Sequence, residues 1–155
     1  MGTIAIAHHA AMVPPAPPPT SRHVGLAAFT GLVSLSAWAG AAGLAFGFLG
    51  LPAYLERRLP FHSPVLGGVA LALIVAVPMA IVAVLALAGD PRTGQAAMGA
   101  GVLQVGWIVV QLAFIRELSF FHPTFLVAGI VLVLWGRHLD RTTTGSISPA
   151  SADRA

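Results

Sequence analysis

The sequence contains no cysteine and no lysine, and charged residues make up only 8% of its 155 positions. The lack of cysteine excludes disulfides, thiol catalysis and cysteine-ligated metal sites. Soluble domains carry about 25% charged residues, so the scarcity of charge excludes water as the main solvent of this chain. The net charge of +3 comes from scattered arginines, which is not the clustered basic surface of a nucleic-acid-binding protein.

Hydrophobic residues account for 57% of the sequence and are concentrated in four long runs. About 20 consecutive apolar residues are needed for a helix to span the hydrocarbon core of a bilayer. We therefore predict an all-α fold, a polytopic transmembrane bundle of four helices within residues 24–138, with the lipid bilayer as its surroundings. The four predicted spans are residues 24–51, 65–88, 96–115 and 120–137.

The two ends of the chain differ from this apolar region in composition. Residues 1–23 are rich in proline, whose extended conformation has no apolar face to bury. Residues 139–155 are rich in polar residues, and we predict that both tails are disordered. His8 and His9 lie in the first tail, where a lone histidine pair is typically solvated, so we predict no metal site there.

No ionisable residue lies in the central part of any predicted span. Proton relays, voltage sensors and ion-coupled transporters usually need at least one such residue inside the membrane. The sequence therefore disfavours a pump built from a single copy of this chain. It also contains no motif that predicts a cofactor or a catalytic residue.

Small residues recur at every fourth position in the first two predicted spans, and such stripes let a second helix approach closely. We predict that these stripes pack helices together within the bundle. Pro78 lies inside the second span, where it removes a backbone hydrogen bond and is expected to kink the helix. The stripe residues are Ala39, Gly43, Gly47, Gly68, Ala72 and Ala76.

Three larger side chains fall on one face of the third span. Gln104, Trp107 and Gln111 are spaced at i, i+3 and i+7. A glutamine in hydrocarbon needs a hydrogen-bond partner, so this face is expected to look into the bundle. A hydrogen bond between helices is the favoured role, and the alternative is binding of a ligand or solute along a pathway.

The positions of the arginines predict an orientation. Four crossings place both termini and the turn at residues 90–95 on one side of the membrane. The positive-inside rule assigns the side with more arginine near the membrane to the cytoplasm. We therefore predict a multi-pass protein of the inner (plasma) membrane with cytoplasmic termini. Four arginines support this side and three lie on the other: Arg22, Arg92, Arg137 and Arg141 against Arg57, Arg58 and Arg116.

The two loops predicted to face outward hold most of the remaining ionisable residues. A carboxylate and an imidazole brought together there would provide an acid/base pair or metal ligands. Anchoring of helix ends at the interface is the favoured alternative, and we predict no metal because the spacing is not that of a metal site. Arg57 or Arg58 is expected to meet Glu117 across the loops. The candidates are Glu56, Arg57, Arg58, His62, Arg116, Glu117 and His122.

Five short motifs are distributed over the spans and the loops between them: Gly50-Leu-Pro52, Leu59-Pro-Phe61, Gly106-Trp-Ile-Val-Val-Gln111, Ile115-Arg116 and Pro123. With these motifs, residues 40–136 resemble a family of small, uncharacterised four-helix membrane proteins from bacteria. The resemblance implies the four-helix fold and no activity. Arginine without lysine, together with abundant alanine and glycine, is typical of a high-GC bacterial genome such as that of an actinobacterium.

Three functions remain open at this point. The favoured hypothesis is a non-enzymatic structural or accessory bundle that assembles with other membrane proteins or with further copies of itself. The alternative is a subunit of an oligomeric transporter or channel, with Gln104 and Gln111 facing the pathway. The third is a membrane-embedded enzyme that uses the outer-face cluster, with Arg57 and Arg58 binding a lipid head group.

Overall fold

The computed structural model describes residues 22–59, 62–116 and 119–145, and the helices in these ranges form an all-α, four-helix bundle. The long helices are apolar enough to cross a membrane, and the chain is a multi-pass membrane protein. A short helix lies in the first loop. The helices are α1 (Val24–Ala45), α2 (Ala53–Glu56), α3 (Pro64–Ala88), α4 (Thr93–Ile115) and α5 (Phe121–Gly145).

Two helix ends differ from the sequence prediction. The first span was expected to continue to residue 51, but α1 ends at Ala45 because Gly47 and Gly50 adopt φ values of +74° and +51°, which a right-handed helix does not allow. The last helix continues to Gly145, beyond the predicted end of the transmembrane domain at residue 138. Residues 1–21 and 146–155 lie outside the described ranges.

Helices α1 and α3 form the first pair. A Cβ atom added at Gly68 would lie only 2.6 Å from the carbonyl oxygen of Ala41, so the two backbones touch at this glycine. The Ser34 hydroxyl donates to the Ala76 carbonyl at 2.8 Å, and the His23 amide donates to the Ala86 carbonyl at 2.9 Å. Backbone contact and two hydrogen bonds therefore hold this pair along its length.

We expect Ser34→Ala to lower the free energy of unfolding by about 1 kcal/mol, the usual size of a hydrogen bond between membrane helices. Ser36→Ala is the matched control, because the exposed Ser36 hydroxyl donates to Leu32 of its own helix. We expect the control to change stability by less than about 0.5 kcal/mol. Unfolding in detergent, followed by circular dichroism, measures both. Equal losses in the two variants would contradict this role for Ser34.

Helix α3 contains a π-helical turn at Ala72–Ala76, where the Val77 amide donates to the Ala72 carbonyl. Pro78 follows two residues later and has no amide hydrogen to donate. A π-helical turn, which is wider than a regular turn, thus lies just before the proline at which a kink was expected. At the start of α3, the Ser63 hydroxyl accepts a hydrogen bond from the Leu66 amide at 3.3 Å.

A tight turn joins α3 to α4. Gly89 adopts a left-handed conformation (φ +67°), and the Asp90 amide donates to the Leu85 carbonyl at 3.0 Å, which closes the end of α3 in the manner of a Schellman motif. The Asp90 carboxylate accepts from the Arg92 amide at 2.7 Å. This end of the bundle carries Arg92, Arg137 and Arg141.

Helices α4 and α5 form the second pair, and four glycines set how closely they pack. A Cβ atom at Gly101 would lie 2.7 Å from the Gly129 carbonyl oxygen, and one at Gly136 would lie 2.6 Å from the Gly94 carbonyl oxygen. Both obstacles are backbone atoms. Gly94 and Gly101 are seven residues apart, as are Gly129 and Gly136, whereas the sequence analysis considered only glycines and alanines four residues apart.

The predicted small-residue stripes therefore have mixed outcomes. Gly68, Ala72 and Ala76 are buried, which agrees with a packing role. Gly43 is buried, but the side chain nearest to its added Cβ is Leu49 of the following loop, at 2.9 Å. Ala39 is exposed and Gly47 lies outside α1, so the stripe prediction is wrong at these two positions.

One hydrophobic core joins the two helix pairs. Leu26, Met79 and Leu132 come from α1, α3 and α5 and are almost completely inaccessible. Ala97 and Ala100 complete this core from α4. The core occupies the half of the bundle nearer to the α3–α4 turn, so the opposite half, where the two loops lie, is less tightly filled.

Candidate functional site

A largely apolar cavity of about 350 Å³ opens at the end of the bundle that carries the two loops. Cavities of about 300–1,000 Å³ are the usual size of small-molecule sites. Its wall is formed by α1, the first loop with α2, the beginning of α3 and the end of α4. The lining residues are Leu44, Leu51, Leu55, Leu59, Leu66, Gly67, Ala70, Trp107, Val110, Gln111, Phe114 and Ile115.

The first loop covers the cavity with leucines. Leu51, Leu55 and Leu59 are spaced four residues apart, and the short helix α2 with the turns around it brings all three to the same side. Pro52 precedes α2 with an extended conformation (φ −57°, ψ 142°), which lets the chain turn back over the bundle. The loop is thus a structured apolar cover.

Trp107 and Gln111 supply the only polar side-chain groups among the lining residues. Both side chains are partly buried. The Trp107 indole nitrogen is buried and has no hydrogen-bond acceptor within the described part of the chain. A buried N–H without a partner is unusual, and this one belongs to a residue that lines the cavity.

Gln104 has a different environment from Trp107 and Gln111. It is 1% exposed, and its Nε2 donates to the Phe125 carbonyl of α5 at 2.8 Å. This is a hydrogen bond between helices, the role that the sequence analysis favoured. The Gln104 Oε1 has no partner in the described residues. The predicted face therefore divides: Gln104 packs against α5, while Trp107 and Gln111 line the cavity.

Arg58 links the two loops at the rim of the cavity. Its guanidinium donates to the Ile115 carbonyl at 2.8 Å and lies 5.8 Å from the centre of the Tyr54 ring. Ile115 is the last residue of α4, where carbonyl groups lack partners within the helix and a cation is favourable. The bond from Arg58 therefore fixes the cover formed by the first loop to the end of α4.

The described members of the predicted outer cluster are not brought together as a metal site. Within residues 22–59, 62–116 and 119–145, no group of three or more His, Asp or Glu lies close enough to hold a metal ion. Glu56 borders a smaller cavity of about 110 Å³ beside the first. Arg57, His62 and Arg116 are exposed. Glu117 lies outside the described residues, so its predicted contact with Arg57 or Arg58 remains a prediction.

His122 supports the start of α5. Its ring is buried, and its Nδ1 accepts a hydrogen bond from the Ser119 amide at 3.1 Å. Phe121 contacts both Phe120 and Phe125, with ring centres 6.3 and 6.5 Å apart. The Nδ1 of His122 is therefore engaged within its own loop.

The cavity was not predicted from the sequence, although one signal for it was present. Leucines at positions 51, 55 and 59 repeat at helical spacing, from the end of the first predicted span into a loop of which only the ionisable residues were considered. A four-residue leucine repeat outside a span indicates a short amphipathic helix with a buried side. The cavity also depends on how the first loop packs against α1, α3 and α4, which the sequence does not show.

Comparisons of the chain with models of known protein families, with curated proteins and with solved structures gave no significant match.

Proposed function

We propose that this protein is a non-enzymatic accessory bundle that binds another membrane-spanning protein in the plasma membrane. The outward face of α4 supports this proposal. Gly99 and Gly106 are exposed, and a Cβ atom at either would meet nothing within 4 Å in the described residues. Ala113, seven residues further on, is exposed as well. A strip of small residues therefore runs along the lipid side of α4, with the exposed Val102 and Val109 beside it.

The opposite side of the same helix shows what such a strip does. Gly94 and Gly101 have the same seven-residue spacing and bring α5 to backbone contact. Glycines allow close helix approach in lipid, where packing replaces the hydrophobic effect as the driving force. The outer strip offers the same geometry to a helix from another chain.

The polar groups inside the spans also support an accessory role. The Thr30 hydroxyl donates to the Leu26 carbonyl, Ser34 bonds to α3, and Gln104 bonds to α5. These contacts are used for packing. An oligomeric transporter, in which Gln104 would face a pathway, has less support because Gln104 is enclosed by its own bundle.

We further propose that both termini are cytoplasmic and that the chain is related to the small bacterial membrane proteins that its sequence resembles. Arg92, Arg137 and Arg141 lie at the end of the bundle that carries the α3–α4 turn, while Arg57, Arg58 and Arg116 lie at the loop end. With Arg22 at the first end, the positive-inside rule favours cytoplasmic termini.

We expect the double variant Gly99→Leu/Gly106→Leu to reduce recovery of a co-purified membrane protein by about tenfold, the effect of about 1.4 kcal/mol. The leucines fill the strip and keep a partner helix at a distance. Recovery is measured by native mass spectrometry after gentle extraction of the tagged protein. Ala42→Leu on the exposed face of α1 is the control and should retain the partner.

Three results would contradict the accessory role. The wild-type chain could always purify alone, or the double variant could retain its partner fully. The third result is a closed homo-oligomer that passes a solute in liposomes, with a flux lowered by Gln104→Leu and Gln111→Leu, which would establish the transporter alternative.

A further inference from the structure

We propose that the 350 Å³ cavity is a binding site for one anionic glycerophospholipid, with an acyl chain inside the cavity and the phosphate bound by arginines at its rim. This inference is independent of the accessory role, because it concerns the loop end of the bundle and not the outer face of α4. It depends on three features: the apolar lining, the donors within it and the charge at its mouth.

The lining selects an apolar ligand. Ten of the twelve lining residues have no polar side-chain group, and five of them are leucines. A sugar or a nucleotide would lose its hydrogen bonds to water in such surroundings without replacement. A hydrocarbon chain loses none. The cavity also lies at the end of the spans, where the lipid chains of a bilayer begin, so its ligand is supplied by the membrane itself.

The donors in the cavity lie along one side of α4 below the rim. Gln111 and Trp107 precede Ile115 by four and eight residues, which places them roughly 6 and 12 Å beneath the rim at 1.5 Å per helical residue. In a glycerophospholipid, the ester carbonyls lie directly below the phosphate. The Gln111 amide lies at the depth of an ester oxygen and is a donor for it, whereas the Trp107 indole nitrogen lies deeper and is buried.

The rim carries an excess of positive charge. Arg58 lies between the lining residues Leu55 and Leu59, Arg57 is its neighbour, and Arg116 follows the lining residue Ile115. Guanidinium groups bind phosphate oxygens through paired N–H donors. Glu56 and Glu117 belong to the same two loops, so these loops contain three arginines and two carboxylates. A lipid with a net negative charge fits this excess better than phosphatidylcholine, whose choline cation cancels the charge of its phosphate.

Native mass spectrometry of the full chain released from nanodiscs tests this site. The nanodiscs contain equal amounts of phosphatidylglycerol and phosphatidylcholine with identical acyl chains. We expect one retained lipid per chain, with phosphatidylglycerol favoured by at least fivefold, since one arginine near a membrane surface contributes about that factor. The double variant Arg57→Gln/Arg116→Gln should bring the two lipids close to equal retention. Arg58 is left unchanged because it holds the Ile115 carbonyl.

Matched variants separate this site from general lipid contact. Arg92→Gln/Arg137→Gln removes two exposed arginines at the opposite end and should leave the preference unchanged. Ala70→Phe fills the cavity and should abolish retention of either lipid. Val69→Phe adds an aromatic ring at the adjacent, lipid-facing position and should retain the lipid. Circular dichroism confirms that all variants are folded.

The proposal is overturned if no lipid is retained, or if phosphatidylglycerol and phosphatidylcholine are retained equally by the wild-type chain. It is also overturned if Ala70→Phe binds lipid as well as Val69→Phe does. Displacement of the lipid by inorganic phosphate alone would also overturn it, because the site would then recognise a free anion.

Discussion

Gly101→Ala is expected to destabilise the protein by about 3 kcal/mol, at the upper end of the cost of overpacking. The added methyl group would lie 2.7 Å from the Gly129 carbonyl oxygen, 2.7 Å from the Val133 Cγ2 and 3.0 Å from the Val133 amide nitrogen. Two of these neighbours are backbone atoms and have no other rotamer. Relief therefore requires α4 and α5 to separate along the contact.

Gly99→Ala and Gly106→Ala are the controls for this prediction, since both positions are in the same helix and have open space around them. Alanine is the better helix former by about 1 kcal/mol, so the controls should be neutral or slightly stabilising. The free energy of unfolding in detergent or in bicelles gives all three values. A loss of similar size at Gly99 would show that helix flexibility, and not the crossing with α5, explains the effect.

Leu132→Ala is expected to cost about 2 kcal/mol, at the low end of the range for leucine truncation in a core. Leu132 is 0% exposed, and its removal leaves a void among α1, α3 and α5. In a soluble protein, part of the cost comes from transfer of the side chain out of water. In a membrane, the lipid is as apolar as the interior, so the cost that remains is that of lost packing.

Leu134→Ala provides the comparison on the same helix, because Leu134 is 58% exposed and faces lipid. We expect a change below about 0.5 kcal/mol. Measured side by side under the same unfolding conditions, the two variants isolate the packing contribution to stability. Equal losses of unfolding free energy in the two variants would mean that Leu132 gains no more packing energy in the core than Leu134 gains against lipid.

Much of the fold could be predicted from the sequence because bilayer thickness imposes a minimum length on an apolar helix. The beginnings of α1 and α3 and the end of α4 differ from the prediction by at most one residue. The end of α1 was predicted wrongly because Gly47 was assigned to a packing stripe, whereas it adopts a left-handed conformation that ends the helix. A glycine in an apolar run has both uses, and the local sequence does not distinguish them.

The site was less accessible to sequence reasoning. Gln104 was expected to face the bundle because an amide in hydrocarbon needs a partner, and its carbonyl acceptor on α5 is a consequence of tertiary packing. Gln104 contacts α5, whereas Trp107 and Gln111 line the cavity together with α1, α3 and the first loop. These neighbours belong to other parts of the chain, so the division could not be predicted from the sequence of α4 alone.

The π-helical turn of α3 also has a consequence for how the chain tolerates changes in length. Each residue added to a helix rotates everything beyond it by about 100°, which would turn the inward face of Met79 and Val82 toward lipid. A π-helical turn takes up one additional residue in a local bulge, so the residues on either side of Ala72–Ala76 both keep facing the core. Deletion of one residue from this turn would restore a regular helix in which the residues before and after the turn still face the core. The turn is therefore a position where related chains can gain or lose one residue without exposing the core.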